Sequence, residues 1–179
     1  MGFARFLPLQ VAAVCYRKRD ASFEFLLVKT TSGDRWIFPK GATARRLSHS
    51  QAAKREAFEE AGAVGAIEPH HFHLYLQPKG DSRLRRRVEE FVVKAFLLQV
   101  SRTQAPHERN RNPTWFSVED ARSALAEGRE AKYAAELRAV IDNAVQRLSS
   151  ERGIVADSTP TSSPRIWQSL RRLFRFNFL

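Results

Sequence analysis

The sequence predicts an α/β domain followed by a tail, on three observations. β-type apolar runs and helical segments alternate from residue 8 to residue 150. Two of the helices carry start signals, a Ser with a capping partner three residues on, and a glycine stands where each should stop. A third segment repeats apolar residues at helical spacing. A chain of 179 residues has room for one such domain, not two.

The opening elements are strands. Val11 to Arg17 and Phe23 to Lys29 are β-type runs, and the polar segment Lys18 to Ser22 between them fits a hairpin. The turn Thr31-Ser-Gly-Asp leads into Trp36-Ile-Phe, and Pro39, with no N–H to give a ladder, ends that strand. Ser48 and Gln51 make a capping box for a helix through Ala52, Ala53, Ala57 and Phe58, which Gly62 stops by accepting the left-handed conformation. Two more β-type stretches, Phe72 to Gln77 and Phe91 to Val100, flank a basic loop from Lys79 to Arg87, and Trp115-Phe116 reads as a strand edge. Ser117 and Asp120 form the second capping box, for a helix to about Ala126 with Gly128 as its stop. The last helix, Ala131 to Leu148, sets Tyr133, Leu137, Ile141, Val145 and Leu148 on one face. Residues 151–165 are a Ser/Thr/Pro linker by composition, and residues 166–179 a basic amphipathic tail.

Composition narrows the function classes. A 43% hydrophobic content, with 13 Phe, is enough for a packed core and excludes a wholly disordered chain. The net charge of +11 favours anionic partners such as phosphorylated metabolites, nucleic acid or an acidic membrane. Cys15 is the lone cysteine, so there is no internal disulfide and no multi-thiolate zinc site; a reducing, cytoplasmic setting is expected. No apolar run approaches the roughly 20 residues that span a bilayer. The start of the chain reads as a first strand rather than a signal peptide, and Phe6 stands where a myristoylation site wants Ser or Thr.

The helix ending at Gly62 carries Glu56, Glu59 and Glu60 on one face. Stability alone does not favour this. Glu56 and Glu60 repel at i, i+4, and Glu59 and Glu60 oppose the dipole of the last turn at a cost of roughly 0.3–1 kcal/mol. Arg55 precedes Glu59 in the weaker order for a helical ion pair. A hard divalent cation turns the arrangement to use, since Mg²⁺ takes carboxylate oxygens together with water and substrate phosphates. The cluster therefore reads as a metal site for phosphate chemistry.

Gly41 followed by Arg55-Glu-Ala-Phe-Glu-Glu-Ala-Gly-Ala resembles the box of the Nudix hydrolases, Gly-x5-Glu-x7-Arg-Glu-U-x-Glu-Glu-x-Gly-U, where U is apolar. One position departs, Leu47 standing where the box has its first glutamate. The resemblance runs from about Gln10 to Arg147. Asp34-Arg-Trp-Ile-Phe-Pro-Lys-Gly, Thr114-Trp-Phe-Ser-Val-Glu-Asp-Ala and the Tyr133 helix are similar to the diphosphoinositol polyphosphate phosphohydrolase branch, which acts on diphosphoinositol and diadenosine polyphosphates. It implies an α/β/α sandwich, a mixed sheet between helices, and Mg²⁺ (or Mn²⁺) as cofactor. It further implies that Glu59 and Glu60 bind metal with the backbone carbonyl of Lys40, and that Glu56 orients or activates water directly or through metal, while Arg55 can hold one of the three glutamates in position. Glu89 and Glu90 are candidates for a further acidic residue outside the box. Leu47 puts a secondary ligand in question.

The implied reaction is hydrolysis of a diphosphate linkage in a phosphorylated small molecule. Lys40, Arg45 and Arg46 in the box loop, with Arg17, Lys29 and Arg35 from strand ends and turns, are the cations expected to meet its phosphates. The alternative is a silent module of the same fold that binds a phosphorylated ligand or RNA. The Arg83 to Arg87 run reads first as a solvated turn and second as a polyphosphate rim; without aromatics for base stacking it gives no reason to expect a stable nucleic-acid partner. His70, His71 and His73 read as strand residues rather than zinc ligands, since the adjacent pair would point to opposite faces. For the tail, packing on the domain or on a second subunit stands ahead of contact with an anionic membrane.

Overall fold

The computed structural model describes residues 7–78 and 90–156, with side chains through residue 150. The Arg83 to Arg87 run, Glu89, most of the linker and the whole tail lie outside the described residues. Among the described residues, eight strands and three helices follow in the order β1 (Leu9–Arg19), β2 (Ser22–Lys29), β3 (Trp36–Ile37), β4 (Lys40–Ala42), α1 (His49–Ala61), β5 (Ala63–Ile67), β6 (His73–Pro78), β7 (Glu90–Thr103), β8 (Thr114–Ser117), α2 (Val118–Ala126) and α3 (Ala131–Ala156).

β1 and β7 are the axis of the sheet. Their middles are continuous apolar runs, as strands buried on both faces must be, and they pair in parallel from Leu9↔Val92 to Tyr16↔Gln99. Every other pairing is antiparallel, so the sheet is mixed. Each axial strand divides its outer edge between two partners. β7 pairs β6 over Glu90 to Ala95 and β5 from Leu98 onward. β1 pairs β4 at Gln10 to Ala12 and β2 from Cys15 to Arg19, and the Pro39 carbonyl takes the Ala13 N–H between them. That fork in the edge of β1 opens the sheet beside α1.

Side chains alternate across the sheet. Val11, Ala13, Cys15, Leu26, Val28, Phe96 and Leu98 pack with Ala52, Ala53, Ala57 and Ala61 of α1. The other face is covered by α3, whose Tyr133, Leu137, Val140, Ile141 and Ala144 are buried. The α3 side chains tie it down: Glu136 accepts the Leu76 N–H at 3.0 Å, Lys132 and Tyr133 both reach Glu90, and Arg147 pairs with Glu68. This is the expected α/β/α sandwich with a mixed sheet. No described helix is long and apolar enough to cross a membrane.

Several local expectations change. The first hairpin turns on two residues only, Asp20 and Ala21, with Asp20 in the left-handed region that Asp tolerates. β4 and β5 were not anticipated, because Lys-Gly-Ala and Ala-Val-Gly-Ala-Ile carry little β preference and are made strands by their neighbours. The capping box of α1 forms in both directions, but that of α2 forms by half: Ser117 Oγ accepts the Asp120 N–H and donates to Asp120 Oδ2. Aspartate is one carbon too short to return to the cap N–H as Glu or Gln does. In α3 the expected Tyr133, Leu137, Ile141 and Leu148 are buried, Val140 and Ala144 join them while Val145 is only half-buried, and the helix runs on to Ala156, into the stretch assigned to the linker. The chain divides into a compact unit ending at Arg147 and a second from Leu148.

Candidate active site

The small face of α1 sets the site. Alanines at 52, 53, 57 and 61 let the helix lie close on β1 and β4, which buries the neighbouring Glu56 and Glu60 at 7% and 4% exposure. Glu59, one position round, stays half-exposed. Arg55 donates to Glu56 Oε1 at 2.9 Å and stands 3.7 Å from Glu59 Oε1, so it braces the first two carboxylates. Gly41 of β4 lies directly over Glu56, and a Cβ there would land inside the Glu56 carboxylate. The glycine is required by close approach rather than by its backbone angle.

Glu60 has different partners. Its Oε2 accepts the Lys40 N–H at 3.1 Å, and its Oε1 is bonded by Arg111. Burial pushes the Glu60 carboxyl up to about 7, while Arg111 and the Lys40 amide pull it down. The Lys40 ammonium bonds Gln10 at 3.0 Å, and burial lowers its pKa.

Arg111 comes from the connection between β7 and β8, which runs along the last turn of α1. Gln104 N–H bonds the Gly62 carbonyl and Glu108 N–H the Glu59 carbonyl, both at 2.9 Å, satisfying groups that a helix end leaves free. Gly62 caps the helix at φ 61°, and a Cβ there would strike the Gln104 carbonyl, so this connection also requires glycine. His107 meets Phe58 edge-on at 4.7 Å. Arg111 itself is flanked by Asn110 and Asn112 at positive φ, and its guanidinium also holds Glu108 at 2.7 Å and the Lys29 carbonyl at 3.1 Å. Its own carbonyl accepts the Lys29 N–H.

Two cavities open from this point. One of about 230 Å³ is lined by Lys40, Glu60, Arg111 and Gln77. A larger one of about 360 Å³ is lined by Arg35, Arg129, Asp34 and Tyr133, and shares Thr30, Thr31, Ile37 and Gln77 with the first. The shared wall joins them into one cleft leading from Glu60 to Arg35 and Arg129, with Glu56 and Glu59 outside its lining. Arg129 bonds only carbonyls, those of Leu125 at 2.7 Å and Trp36 at 2.6 Å, and burial with Arg35 beside it lowers its pKa to about 10. Asp34 is drawn to about 2 by the Ser32 and Thr30 hydroxyls. Such a cleft can place a polyanion's phosphates along the arginines and one phosphorus beside the glutamates.

The expected residues are sorted by this geometry. Arg35 and Lys40 line the cleft, and Lys29 stands beside it with its ammonium 4.2 Å over the Trp36 ring. Arg45 and Arg46 are exposed in the loop before α1 and line neither cavity. Arg17 belongs elsewhere: it pairs with Glu24 at 2.6 Å and stacks over Trp115, because its end of β1 runs toward the first hairpin. Glu90 is held by Lys132 and Tyr133 rather than turned to the glutamates. Leu47 is partly buried against the core and shares a cavity of about 410 Å³ with Arg55 and Phe58, so position 47 presents no oxygen beside Arg55. Cys15 is fully buried and its thiol pKa is pushed up, as a core residue's should be. Arg111, Arg129 and Gln77 were missed, since each lies in a loop or strand end with no motif around it.

The donor set suits a hard cation: carboxylates and a strand carbonyl, with no sulfur or imidazole. Among the described residues no three His, Cys, Asp or Glu side chains gather so as to hold a metal. Glu60 is bonded by Arg111, and Glu56 and Glu59 share Arg55. Mg²⁺ commonly uses one or two carboxylates with water and phosphate oxygens for the rest.

Residues 7–137 match the family model of the NUDIX domain. The chain is 30% identical over 148 residues to Nudix hydrolase 18, mitochondrial, of Arabidopsis thaliana, covering 78% of this chain and 77% of that one. It is 29% identical over 127 residues to Nudix hydrolase 17, mitochondrial, of the same plant, covering 71% and 64%. Similar solved structures include the NUDIX domain of Shewanella oneidensis NrtR in complex with ADP ribose, with TM-score 0.58, 19% identity, and 81% and 90% of the two chains covered. Another is the C. elegans Ap4A hydrolase, with TM-score 0.56, 23% identity, and 80% and 99% covered. With the box residues on one helix against a mixed sheet, and the match running through most of the domain, the chain belongs to the Nudix hydrolase family and is an enzyme of its pyrophosphohydrolase kind.

Proposed function

We propose that the chain hydrolyses a diphosphate linkage in a highly phosphorylated small molecule, a diphosphoinositol polyphosphate or a diadenosine polyphosphate, with Mg²⁺ as cofactor. The observation that carries this reading is the cleft with Glu60, Lys40 and Arg111 at one end and Arg35 and Arg129 at the other. A polyphosphate meets cations at both ends, beyond the Asp34 carboxylate that stands 3.5 Å from Arg35. The similar Ap4A hydrolase and the ADP-ribose complex both concern diphosphate-containing ligands, which agrees with the class.

Glu56, Glu59 and Glu60, on one face of α1, would hold the cation with the Lys40 carbonyl, whose residue already bonds Glu60 through its N–H. Bound there, Mg²⁺ polarises phosphoryl oxygens and lowers the pKa of water. The chain's own residues do the positioning: Arg55 fixes Glu56, Gly41 leaves room for its carboxylate, and Arg35 with Arg129 fixes the substrate's far phosphates. Water adds to phosphorus, the bond from phosphorus to the bridging oxygen breaks with its electron pair leaving on the departing phosphate, and the water's proton passes to a carboxylate such as Glu56.

The test is phosphate release from a panel of diphosphoinositol polyphosphates, diadenosine polyphosphates, nucleoside diphosphate sugars and nucleoside triphosphates, run beside Glu56→Gln. Turnover of one of the first two classes, reduced about 10³-fold in the variant, is expected. A folded chain that binds a panel member without turning it over favours the second reading, a ligand-binding module, for which the Arg111–Glu60 bond and Leu47 are the motivating features. Location is a separate proposal: the cytoplasmic placement expected from composition is tested by fractionation, and both plant relatives are named mitochondrial.

A further inference from the structure

Three buried polar atoms around the cleft have no hydrogen-bond partner among the described residues: Gln77 Oε1, Tyr75 Oη and Arg35 Nε. A folded chain seldom leaves such atoms unused, because each has given up its bonds to water. Gln77 stands where the two cavities meet and lines both, with Thr30, Thr31 and Ile37. Lys40 and Arg111 line the cavity on one side of it, Arg35 and Arg129 the cavity on the other. Tyr75 is two residues back on β6, so it shares the Gln77 face of that strand. It is 1% exposed, meets Phe38 edge-on, and lies within electrostatic reach of both Arg129 and Glu60. Arg35 Nε stands 3.5 Å from one oxygen of Asp34, whose other oxygen takes the Thr30 and Ser32 hydroxyls.

We propose that Gln77 is a specificity-determining residue whose amide oxygen accepts a hydrogen bond from the substrate, so that the cleft prefers phosphorylated compounds whose sugar or cyclitol ring keeps a free hydroxyl. The inference rests on the diphosphate-hydrolysis reading and adds which members of that substrate class the cleft takes. An ionised phosphate offers oxygens alone, and an amide oxygen set against it gains no bond. A hydroxyl brings the proton that Gln77 Oε1 lacks. The last torsion of a glutamine is broad, so this half-buried side chain can turn its oxygen toward either cavity. The cations on both sides take phosphates, which leaves the acceptor between them for the uncharged part of the substrate. A site built to bond a hydroxyl rejects the analogue without it, because the acceptor is then shut in unpaired.

The test titrates matched pairs of ligands into the full chain by calorimetry in EDTA, so that affinity is read apart from turnover. One set of pairs is diphosphoinositol tetrakisphosphates, each with a single free ring hydroxyl, against their deoxy analogues of equal charge. Another pair is diadenosine tetraphosphate against its analogue lacking the ribose hydroxyls. The wild type is expected to bind the hydroxyl-bearing member of at least one pair about tenfold more tightly. Gln77→Leu is expected to lose that preference. Gln77→Glu, which keeps an acceptor and loses the amide donors, is expected to retain it, although its charge weakens both members alike. Equal affinities within every pair overturn the inference, as does a preference that survives Gln77→Leu or vanishes in Gln77→Glu. Each of these leaves diphosphate hydrolysis standing. A preference without phosphate release once Mg²⁺ is added overturns the hydrolysis reading alone, and no binding of any member overturns both. Thermal melting checks folding, and Gln77→Glu decides the matter even where Gln77→Leu does not fold.

Discussion

Gly41 and Leu47 sit six positions apart and do opposite jobs. Gly41 has no side chain because the Glu56 carboxylate occupies the space where a Cβ would be. Gly41→Ala should push that carboxylate out of line and lower kcat about 10²-fold, the order that a 1 Å misplacement costs, with little change in a thermal melt. Equal losses of stability and activity would show that the glycine matters for the fold instead. Leu47 is half-buried against the α1 core. Leu47→Ala should cost about 1–2 kcal/mol in denaturant unfolding and leave Mn²⁺ affinity unchanged. A change in affinity would place position 47 at the metal after all. The box glycine was legible in sequence as a motif member, but its contact was not, because nothing local says that a strand will cross a helix at Glu56.

At the scale of elements, the α1 helix and the connection that follows β7 act as one piece. The helix supplies carbonyls at Glu59 and Gly62, and the connection covers them while carrying Arg111 inward. Gly62→Ala should therefore do more than remove a cap. The left-handed φ alone costs about 1 kcal/mol, and the clash with the Gln104 carbonyl adds to it. The melt should fall, and Arg111 should lose its register, which a drop in kcat out of proportion to stability would report. Ser48→Ala is the control at the other end of the same helix: about 1 kcal/mol of stability with kcat unaltered. The helix and both of its caps were readable, since a capping box and a C-terminal glycine are local chemistry. The connection was not, because residues 104–113 have turn composition and their partners lie far away in sequence.

Across the whole molecule, the excess of positive charge works on the substrate before contact. With a net charge of +11 and arginines lining the cleft, kcat/KM for a polyanionic substrate should fall by roughly tenfold from low to high salt while kcat holds. A flat salt profile would show that Arg35 and Arg129 do not steer it. All three helices, six of the eight described strands and the acidic face of α1 were determined by sequence alone, and the box resemblance implied the sandwich, because periodicity, caps and a motif of fixed spacing act over a few residues at a time; β4 and β5 were made strands by their neighbours. Which cations meet that face was decided only by tertiary structure. The fork in the edge of β1 sends Arg17 toward the first hairpin and brings Lys40 to Glu60, and the β7–β8 connection carries in Arg111 from 51 residues away. Charge attraction has no sequence period, so its pairs are set where the packed chain brings them together.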